Sequence, residues 1–197
     1  MSMIDGGDSA VRLGSPVAPI QLILKDGRSC VLREMVEADA EELCRVLPRV
    51  HAESDYLNYQ PGEFQMSAEE EREFIRNHAA KPCSIALVAE IDRTIVGFVG
   101  ATSPPYKRLA HHAEFGLAVL KAFWGLGIGR SMCERIESWG RAAGLRKLYL
   151  RVFAHNKRGI ALYKALGYIE EGRLEGDVLL EDGTYGATII MAKSLTD

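Results

Sequence analysis

Between Ala113 and Arg130 the chain reads AEFGLAVLKAFWGLGIGR, an apolar strand that runs through a short crossing into a glycine-rich turn and then a helix. Gly125, Gly127 and Gly129 alternate with Leu126 and Ile128, and the amphipathic run Ser131 to Ala143 begins directly after them. A helix start leaves backbone N–H groups unpaired at the positive end of a dipole, and glycines there let an anion approach the main chain. The turn reads as a phosphate cradle.

Three phosphate-binding patterns compete for it. A triphosphate loop of the form G-x-x-x-x-G-K-[ST] needs a lysine, but Gly129 is followed by Arg130 and Ser131. The dinucleotide fingerprint G-x-G-x-x-G needs an acid about 20 positions on to hold a ribose, where the chain offers Lys147, Leu148 and Tyr149. The third pattern, [QR]-x-x-G-x-[GA] after a strand, is the pyrophosphate loop of the GNAT family of N-acetyltransferases, and Trp124-Gly125-Leu126-Gly127-Ile128-Gly129 resembles it. Trp124 stands at the Gln/Arg position. An aromatic-Trp-Gly variant is similar to the branch that includes ribosomal-protein N-terminal acetyltransferases and bacterial amino-acid N-acetyltransferases. A second stretch, VFAHNKRGIALYKALGY from Val152 to Tyr168, resembles that family's N-x-x-A-x-x-L-Y-x-x-x-G-[FY] motif. Asn156, Leu162, Tyr163, Gly167 and Tyr168 match it, and Gly159 replaces the usual alanine.

The resemblance covers residues 20–193 and is strongest from Glu114 onward. It implies an acyl-CoA N-acyltransferase fold, acetyl-CoA as co-substrate without a metal, and direct attack by an amine in a ternary complex. It further implies that the N–H groups of Leu126, Gly127, Ile128, Gly129 and Arg130 grip the diphosphate, assisted by the Arg130 charge. Trp124 and Gly125 belong to the same cofactor loop. Main-chain groups of Leu117 and Val119, with Ala118 between them, would meet the pantetheine amides. Asn156 would bond the pantetheine arm, and the Tyr163 hydroxyl would face the CoA sulfur.

Composition narrows the partners. The 197 residues suit one domain with a real core, taken as 19–197 after an N-terminal arm, 1–18, that lacks periodicity. A net charge of -3 argues against nucleic acid, and no apolar run reaches the ~18 residues of a membrane span. With no basic-then-apolar leader, the expected location is cytoplasmic. Cys30, Cys44, Cys83 and Cys133 lack any paired spacing, so buried free thiols are expected. His111 and His112, as adjacent strand residues, would point to opposite faces and could not share a metal.

Taken in order, Ile20 to Lys25 and Arg28 to Met35 read as strands joined at Asp26-Gly27. Asp39 and Glu42 look like a reciprocal cap for a helix distorted at its end by Pro48, and Ser67 and Glu70 like another for a helix burying Phe74 and Ile75. Residues 84–91 and 94–102 form a hairpin about Asp92-Arg93, 112–119 continues the sheet, and 147–153 alternates as a strand. Helix 156–166 and strands 168–175 and 184–193, with Asp182-Gly183 as a second hairpin turn, complete the chain. The expected class is α+β: a mixed, mostly antiparallel sheet flanked by helices, with parallel strands 112–119 and 147–153 joined right-handedly and splayed at their carboxyl ends.

Acetyl transfer to an amine needs an uncharged nucleophile and a proton for the thiolate. A thiol near pKa 8.5 needs little help, whereas an alkylamine near 10.4 must first lose its proton. Tyr163 is the expected acid, although its helix spacing also suits a core tyrosine. Glu114 could be the base, directly or through water, or a surface acid; His111 and His112 are alternatives. Tyr56, Tyr59 and Phe64, in the unpatterned loop ESDYLNYQPGEFQM, would line the acceptor pocket or cover the core edge. The acceptor is expected to be an amino acid or other small amine, with a protein N-terminus as the alternative. A non-catalytic acyl-CoA sensor and a nucleotide-dependent oxidoreductase remain as rivals. The terminal hairpin of this branch often joins subunits, which implies a homodimer.

Overall fold

The computed structural model describes residues 17–196. Its sheet contains β1 (Ile20–Ile23), β2 (Ser29–Glu34), β3 (Ser84–Ile91), β4 (Thr94–Thr102), β5 (His112–Val119), β6 (Lys147–Phe153), β7 (Ile169–Leu179) and β8 (Tyr185–Ser194). Among the described residues four α-helices, α1 (Ala40–Ala52), α2 (Ala68–Ala80), α3 (Ile128–Ala142) and α4 (Lys157–Ala165), flank it. The strand order is β1-β2-β3-β4-β5-β6-β8-β7, and β5-β6 is the parallel pair within an otherwise antiparallel sheet. This is the α+β architecture expected from the sequence.

Strand parity divides the core into two. Phe115, Leu148, Leu150 and Val152 join Ile128, Met132 and Ile136 of α3 on one face. Val88, Phe98 and Ala118 join Leu43, Val46, Leu47 and Ile75 of α1 and α2 on the other. Ile136 is fully buried, so Ile136→Ala should cost about 2–5 kcal/mol through lost transfer energy and a cavity. Urea unfolding should show a lower midpoint at an unchanged m-value.

The pairing of β5 with β6 stops after His112↔Lys147, Ala113↔Leu148 and Glu114↔Tyr149. Beyond that point β6 stays paired with β8 and β5 with β4, so the sheet opens between them. The splay is set by the two outer partners.

Several local readings hold and others change. Asp92 and Arg93 both have positive φ, 49° and 63°, as a two-residue hairpin turn of matching twist requires. Ser67 and Glu70 form their reciprocal cap. Asp39 and Glu42 do not: the Asp39 carboxylate accepts from the Val36 N–H and from both terminal nitrogens of Arg33, while Glu42 accepts from the Ile95 N–H. Tertiary donors thus outcompete the local cap. Helix α1 continues past Pro48 to Ala52. Phe74, expected inside, is 50% exposed, and Ile75 alone of that pair is buried. His111 lies before β5 rather than in it, and its ring meets His112 edge-on at 5.1 Å, correcting the expectation of opposite faces. Residues 1–16 of the expected arm lie outside the described residues. Val17 and Ala18, its last two, are tied to the domain by Glu34 and Arg135, at 2.5 Å each. Among the described residues, no helix is long and apolar enough to cross a membrane.

Candidate active site

Helix α3 starts at Ile128, earlier than its amphipathic pattern suggests, so Gly129 and Arg130 belong to its first turn. Gly127 is the N-cap, with φ at 105°, and glycine offers no side chain to satisfy the first helical N–H groups. Among the described residues, none of the five N–H groups from Leu126 to Arg130 donates to a protein acceptor. On its other side the turn is braced, because the Lys25 N–H donates to the Leu126 carbonyl at 3.3 Å. A Cβ at 129 would make ordinary van der Waals contact, 3.4 Å, with a methyl of Leu162, so the first turn of α3 packs against α4.

The adjacent edge of β5 carries a second set of polar main-chain groups. The Leu120 N–H donates to Val96 on the β4 side, and backbone groups alternate edges along a strand. Those of Leu117 and Val119 therefore face the edge that β6 has left. Ala118 differs from the expectation. Its main chain turns toward Phe98 of β4 and its methyl is buried under α1. The Val119 carbonyl accepts from Trp124 Nε1 at 2.6 Å, so Trp124 braces the crossing through its indole N–H.

Residues from both halves of the chain line one continuous cleft of about 1890 Å³ along this opening. Tyr163 is 8% exposed and its ring meets Phe115 edge-on at 6.2 Å, on the α3 and α4 side of the sheet. Burial, with the Cys133 thiol beside it, pushes its hydroxyl well above the ordinary tyrosine value. It therefore stays protonated and has a proton to give. Glu114 points to the opposite face, where Tyr149 donates to it at 3.0 Å. Burial and the Glu114 charge push the Tyr149 hydroxyl up to about 12. An acid and a carboxylate thus stand on opposite sides of a gap in the sheet.

Asn156 caps α4 by accepting from the Gly159 N–H at 2.8 Å. A Cβ at 159 would lie 2.8 Å from Asn156 Nδ2, so the capping side chain takes the space a side chain at 159 would need. The aromatic loop residues separate into two groups. Tyr59 and Phe64 close around His51, with centroids 5.2 and 5.3 Å away, whereas Tyr56 stacks toward Trp124 at 6.3 Å and His155 at 5.4 Å. His155, read from sequence as a loop residue, donates its Nε2–H to the Asp55 carbonyl at 3.0 Å and so anchors that loop. Arg158 was not anticipated. Its guanidinium lies 5.3 Å over the Trp124 ring and against Gly125, bringing a cation to the glycine turn. A cation one position from the N-terminus of the helix after the cleft was the available signal. Arg130 is half exposed, with Glu134 3.7 Å away. Among the described residues no cluster of three metal-ligating side chains occurs.

Residues 50–168 match the model of the acetyltransferase (GNAT) family. L-amino acid N-acetyltransferase AaaT of Escherichia coli (strain K12) is 30% identical over 119 residues, covering 58% of this chain and 71% of that protein. Spermidine N(1)-acetyltransferase of Vibrio cholerae is 27% identical over 45% of this chain and 50% of its own length. A solved GNAT acetyltransferase from Streptococcus pneumoniae superposes with a TM-score of 0.80 at 30% identity, covering 84% of this chain and 99% of that one. The chain belongs to the GNAT acetyltransferase family and is an N-acetyltransferase, with acetyl-CoA as the family's co-substrate.

Proposed function

We propose that this enzyme moves an acetyl group from acetyl-CoA to the primary amine of a small molecule such as an amino acid, by direct attack within a ternary complex. The observation that carries the reading is the row of five main-chain N–H groups, Leu126 to Arg130, without acceptors among the described residues, beside a sheet opened at β5 and β6. Such a row at a helix start suits a diphosphate, and the cations of Arg130 and Arg158 add charge-assisted bonds. Leu117 and Val119 offer main-chain groups for the amides of the pantetheine arm, with Asn156 at its far side. Trp124 and Tyr56 form a wall of this channel, and Tyr59 and Phe64 shape the acceptor end. The name of the Escherichia coli relative supports an amino-acid acceptor.

Bound acetyl-CoA supplies the activated carbonyl. Glu114 takes the proton of the incoming ammonium, directly or through one water, because an amine near pKa 10.4 is almost wholly charged at neutral pH. Tyr163 gives its proton to the departing sulfur. Glu114→Gln is expected to lower kcat at pH 7 about tenfold, with the deficit shrinking as pH approaches the amine's own pKa. A pH–rate profile with one good acceptor checks this. The broader test is release of free CoA across amino acids, polyamines and N-terminal peptides. Peptides accepted in preference to every small amine would move the assignment to protein N-termini, and acetyl-CoA binding without any release would leave only a sensor.

A further inference from the structure

The acceptor end of the cleft has a floor of unusual shape. On the face that carries Glu114, side chains fall into rows across β3, β4 and β5. Ser84, Thr102, Glu114 and Tyr149 form a polar row, and Val88, Phe98 and Ala118 an apolar row under α1. Between them lie Ala86, Gly100 and Gly116, in register with one another. A Cβ built on Gly116 would meet nothing within 4 Å, and one on Gly100 only the Ile85 carbonyl at 3.9 Å. The result is a trench of nearly bare backbone two strand spacings long, roughly 10 Å, from the gap beside Glu114 to the edge under α2.

Glu71 belongs to α2, the helix packed over β3 at that end. It lines the cleft yet is 3% exposed, and no charged or hydrogen-bonding partner faces its carboxylate among the described residues. Burial alone holds it above the ordinary glutamate value. Other titratable groups lining the cleft include His51 and His78, both lowered by burial and so neutral, and the exposed Lys81 and Glu63, while burial and the Glu71 charge raise the Cys44 thiol of α1. An unpaired buried carboxylate is costly unless a cation reaches it. We infer that the trench holds an acceptor carrying a second cationic nitrogen, with Glu71 as the residue that pairs with it. The inference rests on the transferase reading and specifies its acceptor: a diamine or a dibasic amino acid, acetylated at the nitrogen beside Glu114 while the other end pairs with Glu71.

Matched acceptors test it: 1,5-diaminopentane against pentylamine, and L-lysine against L-norleucine, each with the wild type and Glu71→Gln. The wild type is expected to favour the dication in each pair at least tenfold in kcat/KM. In Glu71→Gln the preference should vanish through a KM for the dication at least tenfold higher, with the KM for acetyl-CoA within twofold. No preference in the wild type, or one that survives the substitution, overturns the inference while leaving the transferase reading intact. Acetyl-CoA that binds in calorimetry with no amine acetylated, or that fails to bind, overturns both. Should Glu71→Gln not fold, Gly100→Ala raises the trench floor and is expected to increase the KM of the dications more than that of methylamine; equal effects count against the trench.

Discussion

Tyr163→Phe is expected to lower kcat about a hundredfold while the affinity for acetyl-CoA changes by less than threefold, within the range of a lost general acid. The hydroxyl is the polar part of a side chain otherwise held by Phe115 and Tyr168, whose rings lie 6.2 and 6.0 Å away. Phenylalanine keeps that packing. The loss should therefore appear in the chemical step, visible as a lower single-turnover rate with unchanged acetyl-CoA binding in calorimetry. Because burial raises the tyrosine's pKa, its loss as an acid should not be mimicked by raising the pH within the working range. A variant as fast as the wild type would make Tyr163 a core residue, the reading its helix spacing also allows.

The second large effect concerns the cradle itself. Gly127→Val should weaken acetyl-CoA binding about a hundredfold and leave the acceptor's KM unaltered. Space is not the issue, since a Cβ at 127 would meet nothing within 4 Å. The backbone is: a φ of 105° is disfavoured for a β-branched residue, and the strain of ~1–3 kcal/mol is relieved by turning the peptide units away. Two charge-assisted bonds lost at ~1.5 kcal/mol each make ~3 kcal/mol, or about two powers of ten in Kd. Titration calorimetry with CoA measures it. Unchanged affinity would mean that the N–H row does not hold the diphosphate.

Much of the architecture could be read locally. Asp26-Gly27, Asp92-Arg93 and Asp182-Gly183 announce three hairpins because tight turns need residues that tolerate positive φ: Asp92 and Arg93 both adopt it in a two-residue turn, and Gly27 and Gly183 each adopt it at the end of a three-residue loop. The Ser67 cap is local for the same reason. Asp39 misled, as a half-buried Arg33 and the Val36 N–H compete for it at 2.8 Å. Phe74 misled too, because helical spacing says which residues share a stripe, not where a neighbouring layer ends.

The candidate site divides in the same way. The glycine turn and the Asn156-to-Tyr168 motif were visible because a helix start without a capping side chain and a tyrosine at fixed helical spacing are short-range patterns. Arg158 over Trp124, His155 on the Asp55 carbonyl and Glu71 beneath the cleft were not, since each depends on segments far apart in sequence meeting across the sheet. Short-range sterics and backbone hydrogen bonding wrote the turns, caps and strand faces into the chain directly. Which side chains share a cavity, which carboxylate is left without a partner and which main-chain edge is exposed follow from how β5 and β6 separate, and that depends on the partners each strand keeps.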